Sequence, residues 1–120
     1  MSLPSLKIFI PLLFLILVPL ISGDGELPPQ WCVVDVQTPD DVLIGATNWA
    51  CGGDGGADCS MIQENQPCYF PNTPQNHASY AFNSYFQKFK HQGASCYFNG
   101  AAIVTDLDPS YGNCHFESLP

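Results

Sequence analysis

Apolar positions between residues 77 and 89 recur at steps of three and four. Ala78, Phe82, Tyr85, Phe86 and Phe89 therefore share one face of an amphipathic helix over His77–Phe89. Thr73 suits the cap of this helix and Pro74 its first position, where a missing N–H costs nothing. Gly93 suits its stop. His77, Tyr80, Asn83, Ser84 and Gln87 fall on or beside the other face. The apolar face is expected to build a small core, with Phe82, Phe86 and Phe89 inside it. The polar-aromatic side and its neighbouring loops are expected to carry the function.

A second helix pattern lies upstream. Thr38 is placed to cap it, Pro39 to open it, and Asp40 and Asp41 to face the positive end of its dipole. Val42, Ala46 and Trp49 then recur on one face, with Leu43 and Ala50 alongside. The helix should run to about Cys51, with Gly52-Gly53 ending it. Before it, Trp31-Cys32-Val33-Val34 reads as a short extended run, with Trp31 placed for packing on a disulfide rather than for ligand contact. Downstream, Ser95-Cys96-Tyr97-Phe98 and Ala101–Thr105 flank Asn99-Gly100, a strong short-range signal for a β-hairpin. Residues 60–72 read as loop, because Pro67 and Pro71 limit regular structure there. Tyr69 and Phe70 are expected to be exposed on that loop. Residues 106–113 are a turn-rich return to Cys114.

Composition changes this picture at the amino end. Lys7 followed by the apolar run Ile8–Ile21 and then small residues has the order of a secretory signal peptide. The run is short for a membrane span and holds Pro11 and Pro19. A leader over residues 1–25 is expected, cleaved after Gly23 or Gly25. It is followed by a lead-in at 26–30, one domain over 31–116 and a tail at 117–120. The sequence ends without the hydrophobic tail of a glycolipid anchor signal, so a secreted, extracellular chain without a membrane anchor is expected. About 95 residues after the leader make one small domain, at the low end for burying a core.

All six cysteines follow the leader, at positions 32, 51, 59, 68, 96 and 114. An even count in a short secreted chain points to three disulfides, and spacing leaves about 15 pairings open. Zinc is disfavoured, since there is no Cys-x-x-Cys pair and the three histidines are scattered. The elements together imply a small, disulfide-rich α+β fold of two packed helices with a short antiparallel hairpin or sheet and long loops.

Charge narrows the ligand class. Three lysines, no arginine and 11 acids leave a net charge of −8. Nucleic acid and anionic membranes, which need clustered cations, are unfitting partners. A neutral or weakly charged ligand fits better. The glycine-rich Cys51–Cys59 segment lacks the terminal Gly-Lys-Ser/Thr of a phosphate-cradling loop. Capping accounts for Asp40 and Asp41, and turn formation for Asp106 and Asp108, so neither pair stands out as glycosidase carboxylates. Ser79, His77 and Asp108 could be assembled into a triad on paper, but no nucleophile motif accompanies them. The chain is read as a non-enzyme without cofactor. Aromatics beside amides and hydroxyls suit a sugar, which has an apolar face and a hydroxyl rim.

The blocks WCVV, NWACGG…GADCS, CYFPNTPQNHASYAFNSYFQK, SCYFNGAAIVT and DPSYGNC resemble the plant carbohydrate-binding module family 43, also called the X-eight domain. The resemblance covers Trp31 to Phe116. It implies non-catalytic binding of β-1,3-glucan of the callose type, in the cell wall or apoplast, by a monomeric module of two angled helices and a small antiparallel sheet. It further implies the pairings Cys32–Cys96, Cys51–Cys59 and Cys68–Cys114, with a Cys51–Cys59 loop slightly longer than the family's usual one. Candidate sugar contacts are Tyr69, Asn72, His77, Tyr80, Asn83, Gln87 and Tyr111. Tyr80 and Tyr111 would stack, and Asn72, Asn83 and Gln87 would bond hydroxyls. The competing readings are half-buried core tyrosines, helix-entry chemistry for Asn72 and a backbone hydrogen bond for His77. The alternative function is a secreted structural or signalling protein that uses the same scaffold to bind another protein.

Overall fold

Strand β1 (Trp31–Val34) opens the ordered architecture, and helix α1 (Asp40–Cys51) follows it. Next come the longer helix α2 (Pro74–Phe89) and strand β2 (Ala102–Thr105). Single 3-10 turns lie at Ser60–Ile62, Lys90–Gln92 and Phe98–Gly100. This computed structural model describes residues 27–120. The expected leader over 1–25 lies outside the described residues.

The two-helix, small-sheet α+β architecture is as expected, but its sheet is not the local hairpin. β2 pairs antiparallel with β1, register Trp31↔Thr105 to Val34↔Ala102. Asn99-Gly100 instead lies in the 3-10 turn before β2, where Phe98 and Asn99 take positive φ of 48° and 55°. Cys96 is tied to Cys32 on β1, with Cα atoms 5.7 Å apart. That bond holds the 96–100 segment over the middle of α2, where Phe98 meets the rings of Phe82 and Tyr85.

The entry to α2 follows the sequence pattern. Thr73 Oγ1 accepts from Asn76 N at 3.1 Å and Pro74 takes the first turn. After α2 the Lys90–Gln92 turn ends at Gly93, which adopts a left-handed φ of 93°. The entry to α1 differs from expectation. Pro39, not Thr38, is the N-cap residue and makes no side-chain cap bond, while Thr38 Oγ1 donates to Ala101 O at 3.5 Å. Thr38 thus ties the chain before α1 to the residue before β2.

Two packed clusters flank α2. One gathers Trp31, Ala50, Ile62, Ala81 and Phe116 around Cys59, Cys68 and Cys114. The other gathers Val34, Leu43, Ala78, Phe82 and Ala102 around Cys32. Trp31 is a core residue, as expected, and its indole N–H donates to Phe116 O at 2.9 Å. All three disulfides have the pairing the resemblance implied.

The polar stripe of α2 accounts for the largest departure from the simple amphipathic reading. β1 has β2 on one edge only. Its other edge faces α2, and side chains complete its hydrogen bonding. Ser79 Oγ accepts from Val34 N at 3.0 Å, Asn83 Oδ1 accepts from Cys32 N at 3.0 Å, and Gln87 Nε2 donates to Gln30 O at 2.8 Å. Four residues of helix rise about 6 Å, close to the advance of two residues of strand. Steps of four along α2 therefore match steps of two along residues 34, 32 and 30. An unpaired strand edge is thereby satisfied in the interior at the cost of burying amides, each of which keeps its partners.

Candidate functional site

The exposed aromatics, rather than the predicted polar face, mark the concave surface. Counting about 100° per residue along α1, Leu43 and Ala50 face inward and both are fully buried. Val42 and Trp49, which share a face with Ala46 in the sequence pattern, remain 46% and 44% exposed. They form one wall of a groove of about 650 Å³ that the 93–99 segment closes on the other side. Phe98 stacks flat on buried Phe82 with centroids 4.1 Å apart, which fixes the groove floor. Tyr85 meets Trp49 edge-on at 5.3 Å and Phe98 at 5.4 Å. Tyr97, 61% exposed, stands at the opposite lip. Asp41, Ser95 and Asn99 supply polar atoms at the rim, and no lysine or arginine lines it among the described residues.

This arrangement explains where the aromatic face of α2 goes. Phe82 is completely buried, as expected. Phe86 and Phe89 are only half-buried, and Tyr85 is shared between core and groove. Edge-to-face rings at these distances hold one another in place, so a ligand ring meets a pre-set surface.

The seven predicted contacts divide into three groups. Asn83 and Gln87 are each only 2% exposed and are structural. Besides Cys32 N, Asn83 serves Glu117 O at 2.9 Å. Gln87 Oε1 accepts from Leu119 N at 2.9 Å and from Lys90 Nζ at 2.8 Å. These amides hold residues 30 and 117–119 to the helix and are not offered to a ligand. Tyr80 is half-buried, its ring edge-on to Phe116 at 5.1 Å. Burial pushes its phenol above the ordinary range, helped by the negative charges of Asp58 and Glu117. It is a core-side residue rather than an open platform.

Tyr69, Asn72, His77 and Tyr111 come together at the amino end of α2. Tyr69 OH accepts from Asn72 Nδ2 at 2.9 Å, and His77 Nε2 meets Tyr69 O at 2.7 Å. Tyr111 OH donates to Phe70 O at 2.8 Å and accepts from Asn76 Nδ2 at 2.6 Å. Tyr111 is thus a strut whose hydroxyl is spent on the protein. Asn72 and His77 line a smaller hollow of about 270 Å³ with Thr47 and Asn48 of α1.

The sequence reading missed Trp49, Tyr97 and Asn99. A signal for Trp49 was present: Leu43, Ala46, Thr47 and Ala50 form a competing stripe at steps of three, four and seven. Its small residues let α1 approach α2 closely, which turns Trp49 outward.

A family model described as the X8 domain matches residues 30–103. The plasmodesmata callose-binding proteins 1 and 5 of Arabidopsis thaliana are 40% and 41% identical to this chain over 97 and 98 residues. Those matches cover 81% and 82% of this chain and 47% and 54% of the two relatives. Glucan endo-1,3-beta-glucosidase 4 of the same plant is 50% identical over 87 residues, 72% of this chain and 17% of the relative. The chain therefore spans about half of the callose-binding relatives and less than a fifth of the glucosidase.

Proposed function

The chain belongs to the X8 domain family, and from that premise we propose that it binds β-1,3-glucan without cleaving it, as a monomer in the plant apoplast or cell wall. The observation that carries this reading is the groove itself. Trp49 and Tyr97 stand exposed on facing lips, over a floor of locked aromatic rings, with only Asp41 charged among the lining residues. A glucan ring has one apolar face for Trp49 and hydroxyls for Asp41, Ser95 and Asn99. Binding a neutral polymer asks for no cation, in keeping with a chain of three lysines and no arginine. Lys88 and Lys90 are both spent on backbone carbonyls, of Gly56 and Leu119.

The names of the relatives point to the same ligand class, since two are callose-binding proteins and a third is a glucan endo-1,3-beta-glucosidase. Non-catalysis rests on the groove's chemistry. Among the described residues Asp41 is the only carboxylate lining it, whereas glycoside hydrolysis ordinarily uses a pair across the scissile bond.

The test is titration of the disulfide-intact protein with soluble β-1,3-glucan, using β-1,4-glucan as control and indole fluorescence and amide shifts as readouts. Saturable shifts at Trp49, Tyr97 and Asn99 with the 1,3-linked polymer alone are expected. An intact fold that shows no shift at millimolar sugar overturns the reading. A protein-binding role would instead use Ile103, Val104 and Leu107, which are 48%, 46% and 76% exposed at and beside β2.

A further inference from the structure

The hollow beside Asn72 and His77 lies across α1 from the groove. The groove takes α1 positions 41, 42, 45, 46 and 49, and the hollow takes 44, 47 and 48. At 3.6 residues per turn these sets are centred roughly 140° apart around the helix. Buried Leu43 and Ala50 lie between them on the inner face. One helix thus presents two separate concave surfaces, one on each flank.

The second surface is built as firmly as the first. Three successive carbonyls are each held by a side chain: Cys68 O by Asn76, Tyr69 O by His77, and Phe70 O by Tyr111. The Cys68–Cys114 bond anchors the same loop. Yet Phe70, carried by this pinned backbone, is 72% exposed. Its ring stands edge-on to Tyr69 at 4.9 Å, and Tyr69 in turn packs against His77 at 5.5 Å. An aromatic ring held in water by so many bonds has nothing to gain from the protein alone. Beside it, Thr47, Asn48, Asn72 and His77 offer hydroxyl, amide and imidazole groups without a formal charge of either sign from an acid, lysine or arginine. An exposed ring near uncharged hydrogen-bonding groups is close to the chemistry of the groove, which differs by its one carboxylate, Asp41.

We propose that the Phe70–Tyr69–Asn72 surface is a second β-glucan contact, and that the domain bridges two glucan chains, one on each flank of α1. This rests on the glucan reading given above and extends it from binding to cross-linking. Two contacts on one rigid body can each hold a separate polymer and so cross-link chains, whereas engagement of a single chain by both would instead raise its apparent affinity. Their placement on opposite flanks favours two different chains over one continuous stretch.

Two readouts on the disulfide-intact full chain test this. Calorimetry with a short β-1,3-gluco-oligosaccharide is expected to give two sites in the native protein. It should give one site in Phe70→Ala and one in Trp49→Ala. Phe70→Tyr, which keeps the ring, should retain both. In the second readout, laminarin chains are labelled separately with donor and acceptor dyes. The native protein should bring the dyes together, whereas each alanine variant should lose that transfer while still binding sugar. The remaining site in either variant should keep its native affinity, because the two sites hold different chains. Unchanged near-ultraviolet dichroism serves as the folding control. One site in the native protein, with Phe70→Ala unaltered, overturns the bridging proposal and leaves the groove reading standing. No sugar binding by the native protein overturns both.

Discussion

The polar stripe of α2 and the aromatic lips of the groove, Trp49 and Tyr97, each depart from the rule that polar side chains face water and aromatic ones the core. Asn83, Ser84 and Gln87 are buried at 2%, 7% and 2% exposure, while Trp49 and Tyr97 keep 44% and 61% of their surface in water. The difference follows from what each must satisfy. A two-stranded sheet leaves one edge of β1 unpaired, and an unpaired N–H in the interior costs more than burying an amide that answers it. No such demand acts on Trp49, whose outward position is fixed by α1's small inward residues. A helix face is therefore assigned by its partner's hydrogen-bonding needs as much as by its own hydrophobicity.

The sharpest way to break this comparison is Asn83→Ala. It orphans Cys32 N and Glu117 O together and removes one partner of Gln87. A loss of about 2–3 kcal/mol is expected, chiefly because Cys32 N is left buried and unsatisfied while the exposed Glu117 can turn to water, seen as a drop in urea midpoint with disulfides intact. Ser79→Ala, which orphans only Val34 N, should cost about 1 kcal/mol. An Asn83→Ala protein as stable as the native one would place the amide at the surface after all.

Gly55 tests the same close packing from the loop side. A Cβ there would sit 2.4 Å from Trp49 O and 2.5 Å from Ala50 O, both backbone atoms that cannot yield. Gly55→Ala should cost about 1–3 kcal/mol by forced backbone shift, read as a lower melting temperature. Within the glycine-rich run between Cys51 and Cys59, Gly55 is thus a matter of clearance at the end of α1, whereas a Cβ at Gly53 would meet nothing within 4 Å.

Trp49→Ala should behave in the opposite way. Its ring touches Tyr85 and Phe98 by edges only, so stability should fall by about 1 kcal/mol. Glucan affinity at the groove should fall about tenfold or more, which is 1.4 kcal/mol per tenfold. A large loss of stability with unchanged binding would reverse the roles assigned to the two regions.

How far these roles were legible in the sequence depends on the range of the interaction. Local chemistry was readable: Thr73 and Pro74 opening α2, Gly93 ending the turn after it, and Trp31 as a packing residue. The cysteine pairing was carried by resemblance, since spacing left it open. What escaped was set by contacts distant in sequence. The Asn99-Gly100 hairpin signal was overridden because Cys96 bonds to Cys32, 64 residues away, and because β2 finds its partner in β1. Asn83 and Gln87 were taken for sugar ligands because nothing local reveals that residues 30 and 32 need their bonds. Tyr69, Asn72, His77 and Tyr111 are four of the seven candidate contacts, and the structure brings these four together. Only Asn72 and His77 among them line a hollow.

The smallest expected effect comes from the loop that joins the two regimes. Ser84, buried on α2, accepts from Asp58 N at 3.0 Å, while the Asp58 carboxylate faces water. That carboxylate accepts from Ser60 Oγ at 2.7 Å and Ser60 N at 3.1 Å. These bonds hold its pKa below the ordinary carboxylate value, chiefly through the Ser60 hydroxyl. A depressed folded-state pKa stabilises the fold above the unfolded value of about 3.9, and the contribution disappears as pH falls through the lower folded one. Asp58→Asn should therefore leave the urea midpoint almost unchanged at pH 2 and lower it slightly at pH 6. Because the group is exposed, solvent screening keeps the difference small. Ser84→Ala should destabilise at both pH values, since the bond it removes is to a backbone N–H that does not titrate. Parallel curves for the two variants would mean that the loop is held by one mechanism rather than two.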